Sequence, residues 1–123
     1  MTRLLFTTLL CALGTVQAFA QSEVSQHLLE LDDDERNAAF TLMLRDSNRK
    51  CDQVTRTLYN GTVLGVDEWE AKCRDRNSYS FSVLVEPNET IITSLSCREL
   101  MATRKILLQR AGSKKKPTGC KIR

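Results

Sequence analysis

Four cysteines, Cys51, Cys73, Cys97 and Cys120, follow one another at intervals of 22, 24 and 23 residues. This spacing limits the possible folds more than any other feature of the chain. The number is even and no CxxC pair occurs, so the set reads as two disulfide bridges, not as a metal or redox centre. A fifth cysteine, Cys11, lies in a leader. Arg3 gives that leader a positive start, Leu4 to Val16 an apolar run, and Ala18-Phe19-Ala20 a small-x-small cleavage site before Gln21. A run of 13 residues is too short to span a bilayer, so the leader is an address and not an anchor. Leu10 precedes Cys11 where a lipoprotein signal takes Gly, Ala or Ser, and no lipid anchor is expected there. Cleavage leaves 103 of the 123 residues in an oxidising compartment, periplasmic or secreted. That is one small domain, and each bridge adds about 3 kcal/mol of stability to it.

The organisation expected is a signal peptide over 1–20, a flexible segment over 21–31, a small α+β domain over 32–111 and a basic tail over 112–123. Asp32-Asp33-Asp34-Glu35 supplies acids where a helix begins, and Ala39, Phe40, Met43 and Leu44 share a helical face. This predicts a helix over about 33–46, with Asp32 or Asp33 as its cap. After Cys51 the period falls to two. Val54 and Leu58, then Trp69, Ala71 and Cys73, then Tyr79, Phe81, Val83 and Val85 alternate with polar neighbours. In the fourth strand Ile91, Leu95 and Cys97 are placed inward, with Ser94 and Ser96 outward. Asn60-Gly61 and Glu86-Pro87-Asn88-Glu89 read as turns. The fold expected is one helix packed on a four-stranded antiparallel meander whose other face meets water. Residues 98–110 fit a helix ended by Gly112, or a short edge strand at Ile106–Leu108; helix is preferred.

This arrangement bears on the bridges. Strands two and four flank strand three, about 9.5 Å apart, which is beyond the reach of a disulfide between Cys73 and Cys97. Cys51–Cys73 with Cys97–Cys120 is favoured. Cys51–Cys97 competes if the helix-to-strand connection crosses the sheet.

Charge is unevenly placed. Residues 21–97 hold 14 acids and 8 bases, whereas residues 98–123 hold nine bases and one acid, Glu99. Such a tail reads either as a solvated segment that aids solubility or as a dock for an acidic surface: an anionic membrane face of the envelope, a polyanionic glycan or an acidic protein patch. Nucleic acid is not expected, because few aromatics interleave with the bases. The candidate binding surface is Arg56, Lys72 and Arg74 on the polar sheet face, beside Glu70, Ser80, Ser82 and Ser94, together with Lys114, Lys115 and Lys116 in the tail.

Equipment for catalysis is missing. The one histidine, His27, lies in the loosely patterned N-terminal segment without partners. No GxSxG, GxGxxG or P-loop occurs, and Gly61-Thr62-Val63-Leu64-Gly65 lacks the lysine of a phosphate cradle. Asp67, Glu68 and Glu70 offer carboxylates for a glycosidase pair, but Glu70 lies on the outward parity beside Lys72 and is read as a solvated strand charge, so no such pair is expected. Trp69 is read as a core anchor. No cofactor or metal is expected. The sequons at Asn60 and Asn88 fall in turn signals and are treated as incidental.

The order of helix, Cys51-Asp52-Gln53-Val54, Gly61, Trp69-Glu70-Ala71-Lys72-Cys73, Tyr79-Ser80-Phe81 and Cys97 resembles small, mostly uncharacterised exported proteins of Gram-negative bacteria. These have a C…G…WxxxC…YxF/V…C pattern over a small sheet. The resemblance spans about residues 30–97 and carries no catalytic residue with it; Cys120 and the lysine-rich tail depart from it. The function expected is non-enzymatic binding of another envelope component through the polar sheet face or the basic tail. The alternatives are an inhibitor of a hydrolase, or an enzyme of unrecognised type.

Overall fold

The computed structural model describes residues 21–123; the leader and Cys11 lie outside them. The order is α1 (Glu23–Glu30), α2 (Asp33–Asp46), β1 (Val54–Val63), β2 (Val66–Cys73), β3 (Ser78–Val85), β4 (Thr90–Ser96) and α3 (Cys97–Arg110). The strands form an antiparallel meander in the order β1-β2-β3-β4. The described residues are therefore α+β, with three helices on the sheet, and two disulfides close them: Cys51–Cys73 and Cys97–Cys120, the favoured pairing.

Strand alternation sorts side chains onto two faces. The inner face carries Asp67, Trp69, Ala71 and Cys73 on β2 and Tyr79, Phe81 and Val83 on β3, all buried. Helix α2 covers it. The Asp32 side chain accepts the Glu35 amide at the helix start, and Phe40 and Leu44 enter the core. Phe40 stacks edge-on against Phe81, with ring centroids 4.9 Å apart, and lies 5.4 Å from Trp69. Arg36 and Asn37 bond Thr57 and the Thr55 carbonyl, and the Thr41 hydroxyl accepts the Val54 amide. These contacts fasten α2 along the β1 edge, and Cys51–Cys73 closes the same corner, where Val54 opposes Cys73.

Residues 21–31 differ from the flexible segment expected. They form α1, capped by Ser22, with Val24, Leu28 and Leu31 at helical spacing packed on the core. Two polar contacts hold it, the first of them buried. The Trp69 Nε1–H donates to Ser25 Oγ (2.9 Å), and the Ser22 amide donates to Asp67 Oδ2 (2.9 Å). The hydroxyls of Ser22, Thr62 and Tyr59 also donate to the Asp67 carboxylate. A buried acid is tolerable only when hydrogen-bonded in this way.

Three further elements depart from expectation. Asn60-Gly61 is not the hairpin turn. Gly61, at φ +92°, sits in a bulge within β1, and the turn is Leu64-Gly65, at φ +51° and +77°. Both sites need left-handed backbone, which is why the Asn-Gly dipeptide misleads. In β4, Ile92, Ser94 and Ser96 oppose Val83, Phe81 and Tyr79, so they face inward, while Ile91 and Leu95 face outward. Cys97 leaves the ladder because Ser96 caps α3 in a capping box with Glu99.

The Asp67 contacts set a pH dependence. Burial opposes its ionisation, but the hydrogen bonds from Ser22 and Thr62 outweigh burial and hold its pKa below the ordinary 3.8. The stabilisation from this group is complete above pH 3.8 and is lost as pH falls through the lower folded value. Acid titration of urea stability should show this loss in the wild type, and Asp67→Asn should flatten that part of the profile. An unchanged profile in the variant would remove Asp67 as the cause.

Candidate binding surface

Glu70 alternates with Trp69 and so points to the outer face. The alternation makes it a solvated strand charge, yet it is only 4% exposed. The cover is the C-terminal arm. Glu70 Oε2 accepts the Ile122 amide (2.7 Å), and Oε1 accepts the Lys121 amide (3.0 Å) and Asn60 Nδ2 (2.8 Å). The Ile122 side chain is itself 5% exposed. Arg56 donates to the Arg123 carbonyl (3.4 Å), and Arg104 of α3 donates to the Thr118 carbonyl (2.7 Å). Gly119 passes close to Met101, where a Cβ would lie 3.1 Å from the methionine Cε. The water-facing sheet surface expected from the alternation is thus partly closed, and residues 112–123 end in an anchored arm instead of a free tail. A groove of about 640 Å³ remains between arm and sheet, lined by Asn60, Glu68, Glu70, Ser80, Arg104 and Lys121 among others.

The expected surface residues separate. Arg56 and Lys72 stand opposite each other on the outer face, next to the arm. Ser80 and Ser82 share that face, but Ser94 lies on the inner one. Arg74 is drawn to the other side by Asp52 (2.8 Å), and that hydrogen bond holds the Asp52 carboxyl below its ordinary value. This pair borders a groove of about 930 Å³ between α2 and β1, lined by polar groups such as Asn37 and Arg45 and by apolar ones such as Leu42 and Val54. Lys114, Lys115 and Lys116 are exposed in the loop joining α3 to Cys120. Among the described residues the ion pairs are Arg36–Asp33, Arg49–Glu99 and Arg74–Asp52, so the three lysines take part in none.

Arg49 carries no local sequence signal of its role. It grips Glu99 (2.9 Å) and the Ser94 carbonyl (2.7 Å), tying the end of α2 to β4 and α3. Hydrogen bonding to the Ser96 amide and then to Arg49 lowers the Glu99 pKa. His27 is exposed on α1. Asn60 is engaged by Glu70, whereas Asn88 stands exposed in the β3–β4 turn. Among the described residues, no group of three or more His, Cys, Asp or Glu is placed to hold a metal ion, and no helix is long and apolar enough to cross a membrane.

Replacing Glu70 by Ala strands the buried Ile122 amide, and should cost about 1–3 kcal/mol in urea unfolding. Wild-type stability in that variant would show that the arm is not fastened there. Neither protein-family models nor curated proteins nor solved structures yield a match to this chain.

Proposed function

We propose that this is a small exported, non-enzymatic protein that docks on an anionic envelope surface through the Lys114–Lys116 loop. The observation that carries the reading is how the loop is tethered. Helix α3 holds one end and Cys97–Cys120 the other, so three adjacent unpaired lysines project from a closed ring. Pinning both ends lowers the ordering cost of binding. Arg98, Lys105 and Arg110, all exposed on α3, add to the same positive field. The outer sheet face, the other candidate, supports the reading less, because the arm occupies part of it.

Each lysine near an anionic headgroup layer contributes about 1 kcal/mol, so three contribute on the order of 3 kcal/mol, or about 100-fold in partitioning. Sedimentation with phosphatidylglycerol vesicles should show binding that weakens with salt. Replacing Lys114, Lys115 and Lys116 by Gln should lower that binding about 100-fold. Equal binding to phosphatidylcholine vesicles, or no effect of the substitutions, would contradict the reading.

A hydrolase inhibitor is the second reading, and one observation favours it. Leu64 projects from the β1–β2 turn, 88% exposed, at a φ of +51° that a leucine rarely adopts. An exposed apolar side chain held at a strained position suits insertion into a partner's pocket. Leu64→Asn fits the turn better, so it should keep or raise stability in urea while abolishing inhibition of hydrolases in a periplasmic extract. No inhibition by the wild type, or equal inhibition by both proteins, would count against this reading.

A further inference from the structure

The two bridges sit in different surroundings. Cys51 and Cys73 belong to the inner core, at 7% and 1% exposed, whereas Cys97 and Cys120 are both partly open to solvent. Cys97 is also the first residue of α3, where a helix N-terminus favours negative charge on sulfur. Arg98 and Lys121 follow the two cysteines directly. The acid of that turn, Glu99, is engaged by Arg49 and the Ser96 amide. A thiolate forming on Cys97 is therefore well stabilised and leaves readily.

Beyond this bridge the arm rests on few contacts. These are the Lys121 and Ile122 amides on Glu70, Ile122 against the outer face, Arg104 on Thr118 and Arg56 on Arg123. None of the inner-core packing of Phe40, Trp69 and Phe81 involves it. Two of the three hydrogen bonds to the Glu70 carboxylate come from the arm, so lifting the arm opens this outer-face group to water instead of stranding a charge.

We propose that the C-terminal arm is a strap released by reduction: a dithiol opens Cys97–Cys120 ahead of Cys51–Cys73, and residues 111–123 lift from the sheet. One thiolate of the dithiol attacks the Cys120 sulfur, and Cys97 departs as a thiolate. The second thiol then closes the reductant's own disulfide and expels Cys120. Two electrons pass from the dithiol to the bridge, and its two protons end on the cysteine thiols. The open form uncovers Glu70, Arg56 and Lys72 and frees the lysine loop at one end. This switch stands on the bridge and the Glu70 clasp, whatever the loop docks on.

The test uses the full oxidised protein in graded dithiothreitol, alkylated and mapped by mass spectrometry, with tryptic cleavage after Lys121 as the reporter of strap release. Alkylation of Cys97 and Cys120 should need about tenfold less reductant than that of Cys51 and Cys73. In the singly reduced protein, trypsin should cut after Lys121 while Trp69 fluorescence is unchanged. Glu70→Ala should open Cys97–Cys120 at still lower reductant and leave Cys51–Cys73 where it was. Simultaneous opening of both bridges, earlier opening of Cys51–Cys73, continued protection of Lys121 after reduction, or an unmoved midpoint in Glu70→Ala would each overturn the proposal.

Discussion

Consecutive residues on β2 point to opposite faces of the sheet, and each holds a layer in place. Trp69 faces inward. Its rings pack between Phe40 and Tyr59, and its indole N–H anchors α1 through Ser25. Glu70 faces outward and takes the two amides that bring the C-terminal arm down. Strand geometry enforces this opposition. The first side chain contributes by leaving water. The second can be tolerated out of water because the arm and Asn60 satisfy it. The central strand is therefore buried on both faces at that point, although the sheet as a whole has one apolar face.

The bridges reinforce the same division. Cys51–Cys73 ties the start of β1 to the end of β2 inside the inner core, beside the α2 contacts. Cys97–Cys120 closes a ring holding α3 and the lysine loop on the outer side. Helix α3 has no fully buried residue of its own. Its position depends on that ring, on Arg104 and on the Arg49–Glu99 pair more than on hydrophobic burial. The cationic part of the molecule is thus the part least supported by the core, which suits a surface that engages partners.

Much of this was legible in the residues. Helix α2 announced itself through its acids and the Phe40, Met43 and Leu44 stripe, and β2 and β3 through strict alternation; in β1 the bulge after Val54 turns Leu58 to the outer face opposite Glu70 and Tyr59 inward, against the alternation expected there. Strand spacing excluded Cys73–Cys97 and favoured the pairing found, while leaving Cys51–Cys97 as a competitor. What was missed had weaker or ambiguous signals. Val24, Leu28 and Leu31 carry the α1 stripe behind a Ser22 cap, but three apolar residues in a polar stretch read as fraying. The Ile91-Ile92 pair fits either parity, so β4 was turned over. Asn60-Gly61 marks left-handed backbone without saying whether a turn or a bulge uses it. The outer site was least visible. Ile122 is a lone apolar residue among bases, and nothing local tells Glu70 that amides from 51 and 52 residues further along will reach it.

The arm is part of the fold, and amide hydrogen exchange of Lys121 and Ile122 in the native, oxidised protein tests this most directly. Both amides should be protected to a degree approaching that of the β2 ladder, since they donate to a buried carboxylate. Exchange at the rate of an unstructured peptide would mean that the chain beyond Cys120 floats free and that Glu70 holds nothing.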